Sequence, residues 1–283
     1  MNRIGPPGRF YPGYVFDLDG TLYLGDALLP GAAATVRSIR SRGGRVAFLT
    51  NKPLELPEDY AAKLTRLGIP AGPDDVVSST DALRLYLREH APAARIFPVS
   101  EPLVAELLRA DGFELTDDPL RIDVVVVSFD RTFDYAKLLT AYRAVRNGAR
   151  IVATNPDPYC PTPDGGLPDC GAMLAAIETA SGGRAEAVVG KPSLHMSHAV
   201  LARLGLPPED TILVGDRLLT DVAMAKEAGM VSALVLSGAT SADDLAMSDI
   251  QPDFIVRDVG ELLTADSGPA TSGLVGLASP GSG

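Results

Sequence analysis

Asp17 and Asp19 stand one residue apart in the stretch Val15-Phe16-Asp17-Leu18-Asp19-Gly20-Thr21-Leu22, close to the N-terminus. The apolar run 14–16 before them reads as a buried strand, and Gly20-Thr21 reads as the turn after it. Alternation along a strand puts both carboxylates on one side. Two anions held that close repel each other unless a cation or a shared proton sits between them. Asp and Gly are also ordinary turn formers, so the pair alone fits a loop capped by acidic residues. Three further pieces bear on the choice: Thr50-Asn51, Lys191 and Asp216 each follow a later apolar run.

Together these residue types suit phosphoryl chemistry. Asp17, Asp19 and Asp216 supply hard oxygen ligands in the number Mg2+ takes from protein, with positions left for water and a phosphate oxygen. Lys191 is a point cation suited to phosphate, and Thr50 and Asn51 offer a hydroxyl and an amide as donors. An Asp carboxylate beside a metal can attack phosphorus and form an aspartyl-phosphate, a role open to Asp17. Asp19 is then placed to protonate the leaving alkoxide and later to deprotonate water. The Gly20-Thr21 turn lets the backbone approach the phosphate closely. Catalysis of this kind is mostly positioning and charge neutralisation.

The elements that must position these groups are predicted as alternating strands and helices. A helix over 31–43 follows the first strand, then a strand at 45–50 and a helix at 58–67. The pattern continues through helices at 81–89, 102–110, 135–146 and 171–180, with strands at 95–99, 122–127 and 150–153 between them. Strands at 187–189, 211–214, 232–236 and 254–256 follow. Near-continuous apolar strands alternating with helices indicate a doubly wound parallel sheet covered on both faces. Ligands bind such sheets beyond the carboxyl ends of the strands, where Asp17, Thr50, Lys191 and Asp216 all fall. The stretch 155–170, rich in Pro, Gly and Asp, is a long loop of the kind that is functional or disordered.

Composition bounds the rest. The chain has 283 residues, 46% of them hydrophobic and 22% charged, enough for two domains each with its own core. No apolar run approaches the ~20 residues of a membrane helix, and residues 1–12 lack a signal-peptide core, so a cytoplasmic protein is expected. A net charge of -11 argues against nucleic acid. It leaves room for a small anionic partner held by a local cation. Cys160 and Cys170 make neither a disulfide framework nor a zinc site, and the reduced thiol is expected at Cys170. His90, His195 and His198 are expected to be surface or packing residues. After about residue 263 the chain lacks a core-forming pattern and reads as a disordered tail, 265–283.

The set D-L-D-G-T, L-T-N, V-G-K-P and V-G-D-R-L-L-T-D resembles the four motifs of the haloacid dehalogenase superfamily. With S-F-D-R-T-F-D-Y-A-K-L at 128–138 and A-T-N-P-D-P-Y-C at 153–160, it is similar more narrowly to the type-IIA phosphatases. The likeness runs from residue 14 to about 263. It implies a Rossmann-like core, 1–78 and 187–264, interrupted by an inserted α/β cap domain at 79–186. It implies a Mg2+-dependent phosphatase with Asp17 as nucleophile and Asp19 as general acid and base. Magnesium would be held by the Asp17 side chain, the Asp19 backbone carbonyl and Asp216. Thr50, Asn51 and Lys191 would bind phosphate, and Asp221 would orient metal-bound water or Lys191. Asp130, Arg131, Asn155 and Asp157 match positions at the cap–core interface, and Cys160 matches one that faces the substrate.

The substrate would be a small phosphorylated metabolite, a sugar or polyol phosphate or else a nucleotide or phosphoglycolate, and two copies would pair through the cap. The second motif departs from the usual T-N-N or T-N-S, since Lys52 follows Asn51. Lys52 is either a solvated surface charge or a cation near the leaving group. A non-enzymatic phosphate-ligand-binding module is the reading from another class. The absence of G-x-G-x-x-G after the first strand and the intact Asp and Lys set both weigh against it.

Overall fold

Seven parallel strands form the larger sheet of the computed structural model, which describes residues 3–160 and 166–263. Their order is Arg3–Ile4, Phe254–Val256, Val231–Val235, Thr211–Gly215, Gly13–Asp17, Arg45–Thr50 and Val76–Ser78. The inner strand Gly13–Asp17 is buried along its whole length, and its side chains alternate between two apolar layers. Tyr14 and Phe16 pack with Val36, Ile39, Phe48 and Leu64 on one face. Val15 packs with Leu49, Val77, Met196 and Val200 on the other. Helix Ala32–Ser41 joins the first layer because Ala32, Thr35, Val36 and Ile39 fall on one helical face.

The first strand pairs with Arg45–Thr50 on one side and with Thr211–Gly215 on the other. Early chain therefore builds one half of the sheet and late chain most of the other. The crevice where the winding reverses lies at the carboxyl ends of Gly13–Asp17 and Thr211–Gly215. Asp17 ends the first of these strands and Asp216 follows the second.

Five further parallel strands make a second sheet: Ala185–Val188, Arg150–Ala153, Val124–Val127, Arg95–Val99 and Glu114–Leu115. The architecture is thus a doubly wound α/β core with an inserted α/β unit. Ala187 pairs with Val152, so the expected boundary between 186 and 187 falls inside a strand of the inserted sheet. Helix Ser79–His90 joins the two units: Leu83, Tyr86 and Leu87 share one buried cluster with Val77 of the first sheet and Ile96, Val124 and Val126 of the second. The strand Val76–Ser78 was not legible in the sequence, being three residues long and directly followed by that helix. His90 and His195 stack on or abut Tyr86, which is a packing role. Cys170 is buried, and desolvation pushes its thiol up to about 12. The expectations for the tail at 265–283 lie outside the described residues.

Candidate active site

Four side chains close the floor of the crevice. Lys191 Nζ donates to Asp17 Oδ1 at 2.5 Å and to Asp221 Oδ1 at 2.7 Å. All three residues are buried, Asp221 completely. Lys191 reaches this position from the Gly190-Lys191-Pro192 turn after the last strand of the inserted sheet, where the Lys191–Pro192 peptide is cis. Asp221 sits in a π-helical turn, Leu218–Val222, and its Oδ2 accepts from the Arg217 N–H at 3.1 Å. Such turns recur at functional sites because they rotate one side chain out of the regular helical repeat.

Asp216 completes the group. Carboxylate oxygens of Asp17, Asp216 and Asp221 all lie within 4.8 Å of one another. Asp216 Oδ2 accepts from the Ala239 N–H at 2.6 Å, whereas Oδ1 is buried with no hydrogen-bond partner among the described residues. The carboxylate is cradled by glycines: a Cβ would come within 2.4 Å of Oδ2 from Gly20 and 2.1 Å from Gly238. No side chain larger than hydrogen fits at either place without moving Asp216.

The electrostatics of this floor are unbalanced. Burial, then Asp221 and Asp216, push Asp17 well above the usual carboxylate range against the pull of Lys191. Burial and Asp221 push the Asp216 carboxyl up to about 6. Burial works to lower Lys191, but Asp17 and Asp221 outweigh it and hold the ammonium above its ordinary value. Three carboxylates against one ammonium leave two excess negative charges in a dry space. A hard divalent cation fits both that charge and the orphaned Asp216 oxygen.

Asp19 lies apart from this floor. The strand ends at Asp17, so alternation no longer governs the residue two positions on. Asp19 Oδ2 instead pairs with Lys52 Nζ at 3.1 Å, with each side chain about a third exposed (32% and 33%). Each of the two aspartates thus has its own lysine, Lys191 for Asp17 and Lys52 for Asp19. Lys52 is not a solvated surface charge. Burial opposes its charge, but Asp19 and then Cys160 hold its pKa above the ordinary value.

Other expected residues divide into those the fold gathers and those it does not. Thr50 is buried at its strand end, its hydroxyl oxygen accepts from the Lys52 N–H at 3.1 Å, and the Tyr60 hydroxyl lies beside it. The side chain of Asn51 is taken up as a staple between segments. Its amide donates to Asp157 Oδ2 (2.9 Å) and the Lys191 carbonyl (3.2 Å), and its Oδ1 accepts from the Lys191 N–H (2.8 Å). Asn155 donates to the Asn51 carbonyl at 3.3 Å and accepts from the Asp157 N–H at 3.0 Å, so both do sit at the junction of the two units.

Cys160 opens a short hairpin with Leu167–Pro168 and faces Lys52, Asp169, Asp19 and Arg217, while burial pushes its thiol upward. Residues 161–165 lie outside the described residues. Asp130 and Arg131 do not join the site. Asp130 is buried against Lys137 Nζ (2.5 Å) and Thr132, and Arg131 clasps Glu101 with two bonds of 2.9 and 3.0 Å. These partners all belong to the inserted unit, because the loop after Val124–Val127 turns toward its own helices. The sequence reading missed Arg217, 4.0 Å from Asp157, and the loop 237–239 that holds Asp216 and bonds Gly20. The Ser-Gly pair at 237–238, following an apolar strand as Asp17 does, is the signal that could have found the loop.

Comparison with known proteins matches residues 14–114 to a haloacid dehalogenase-like hydrolase family and residues 188–262 to a related hydrolase family of the same kind. The chain is 33% identical to sugar-phosphatase AraL of Bacillus subtilis, over 88% of this chain and 92% of that protein. It is also 33% identical to glycerol-3-phosphate phosphatase of Homo sapiens, over 90% of each chain. The crystal structure of 4-nitrophenylphosphatase from Thermotoga maritima superimposes with a TM-score of 0.84 at 35% identity, covering 89% of this chain and 96% of that one. On the motifs, the crevice and these likenesses together, the chain belongs to the type-IIA phosphatases of the haloacid dehalogenase superfamily and is a phosphoric monoester hydrolase.

Proposed function

We propose that the enzyme is Mg2+-dependent and hydrolyses small phosphate monoesters, of sugars, polyols or related metabolites, through a phosphorylated Asp17. The observation that carries this reading is the orphaned Asp216 Oδ1 within the buried Asp17–Asp216–Asp221 group. Asp17 and Asp216, with the backbone at Asp19, would hold the metal, which supplies charge neutralisation to the phosphoryl oxygens. Asp221 has both oxygens occupied by Lys191 and the Arg217 N–H, so it fixes the lysine.

Lys191 in turn orients Asp17 and offers its charge to the incoming phosphate. An Asp17 oxygen attacks phosphorus as the bond to the ester oxygen breaks, and Asp19 gives that oxygen its proton. Asp19, now a carboxylate, takes a proton from the water that attacks phosphorus and releases phosphate from Asp17. Thr50 O–H would donate to a phosphoryl oxygen throughout. The relatives named for sugar phosphates and for glycerol 3-phosphate support the small-ester reading.

Phosphate release from p-nitrophenyl phosphate, measured after exhaustive chelation and again on adding Mg2+, tests the reading. Turnover is expected to vanish with EDTA and return with the metal, accompanied by a raised melting temperature. Full activity in excess EDTA would overturn it.

A further inference from the structure

Lys52 is the cation for which the phosphoryl chemistry itself has no use. The phosphate's own lysine is Lys191, on the buried floor. Lys52 stands on the open side of the crevice, and its backbone is pinned at both ends. Its N–H donates to Thr50 Oγ1 at 3.1 Å, and its carbonyl accepts from Tyr60 O–H at 3.0 Å. That double anchor aims the side chain at Asp19, 3.1 Å away, with Cys160 of the inserted unit among its near neighbours.

Asp19 has to reach the ester's bridging oxygen to do its work. A group one hydrogen bond from Asp19 lies within about 8 Å of that oxygen, two hydrogen bonds and the width of the carboxylate in series. Lys52 therefore faces the first carbons of the leaving alcohol, and Asp19 turns away from it when it engages the ester.

The donor and acceptor balance on this side favours an anion. Lys52 and Arg217 carry only donors. The acceptors beside them are engaged, Asp19 with Lys52 and Asp157 with Asn51 and Arg217. A neutral polyol brings hydroxyls that must donate as well as accept, whereas a carboxylate or second phosphate brings acceptors alone.

We propose that Lys52 is a specificity-determining residue that binds an oxyanion on the leaving alcohol, its carbon or phosphorus three to five bonds from the scissile oxygen, exchanging Asp19 for it as partner. The favoured substrates are then phosphate esters of short hydroxy acids or of short bisphosphorylated polyols. This rests on the phosphatase reading above and narrows it.

The test compares kcat/KM for pairs that differ in one group. Glycerol 3-phosphate and 3-phosphoglycerate exchange a hydroxymethyl for a carboxylate, and glycerol 1,3-bisphosphate adds a phosphate to the first. p-Nitrophenyl phosphate, with no second anion, is the reference. The wild type is expected to favour an oxyanion substrate over glycerol 3-phosphate by about tenfold or more, chiefly through KM. The arm with the larger ratio tells carboxylate from phosphate.

Lys52→Met also takes a partner from Asp19, which lowers turnover of both members of a pair, so the ratio is what counts. It should collapse to within about threefold of one in Lys52→Met and be largely kept in Lys52→Arg, which retains the charge. A wild-type ratio near one, or a ratio that survives Lys52→Met, overturns the proposal. Activity on p-nitrophenyl phosphate separates that result from failure of the phosphatase reading: if no ester at all is hydrolysed with Mg2+, both fall.

Discussion

At the D-x-D pair the two aspartates meet different lysines, Asp17 the buried Lys191 and Asp19 the partly exposed Lys52. Lys191 is spent on Asp17, the proposed nucleophile, and on Asp221, in the dry floor. Asp19, a third exposed, keeps the room to swing that a proton carrier needs. The division predicts different consequences for the two carboxylates. Asp19→Asn retains the backbone carbonyl but cannot pass a proton, and general acid–base help is worth ~10²–10⁴ in rate. The loss should be near that range for alkyl phosphates and clearly smaller for p-nitrophenyl phosphate, whose leaving group needs no proton. Steady-state rates on the two substrates check this, and equal losses would remove Asp19 from the role of leaving-group acid.

At the scale of elements, the crevice is closed by segments from three parts of the chain: the end of Arg45–Thr50, the loop after Arg150–Ala153 and the turn at Gly190. Asn51 binds the last two together through Asp157 and both backbone groups of Lys191. Asn51→Ala leaves the Lys191 N–H and the Asp157 carboxylate short of a partner. Each such loss costs about 1–3 kcal/mol where the group stays buried. The variant is expected to unfold at lower urea concentration, and backbone amides at 155–160 should exchange faster than in the wild type. Unchanged exchange in that loop would show that Asn51 does not hold it.

The whole molecule behaves as two sheets on one shared core, because helix Ser79–His90 contributes Leu83, Tyr86 and Leu87 to a cluster that reaches both. Leu87→Ala is expected to cost about 2–5 kcal/mol, as for other fully buried leucines. The loss should appear as one cooperative transition at lower temperature, followed by circular dichroism and calorimetry. Two separated transitions in the variant would mean that the units unfold independently. Among the described residues no helix is long and apolar enough to cross a membrane.

The order of strands and helices was legible in the sequence because it is a local property. Apolar periodicity, Gly at helix ends and turn residues act over a few positions, and Val124–Val127 or Ala32–Ser41 can be read directly from them. The meeting of Asp17 and Asp216 was legible too, since neighbouring parallel strands of one sheet align their carboxyl ends, whereas Lys191 arrives from a strand of the inserted sheet. The partners of individual polar side chains were not.

Asn51 to Asp157 spans 106 positions, and no local pattern records that the amide is already spent. Asp130 and Arg131 read like site residues, but Asp130 is buried against Lys137 and the exposed Arg131 pairs with Glu101, both nearer charges. Lys52 was ambiguous for the same reason: its neighbour in sequence is an amide, whereas its neighbour in space is Asp19. Backbone pattern is set by steric and solvent preferences that each residue carries with it. Which charge meets which depends on distances that exist only once the sheets have closed.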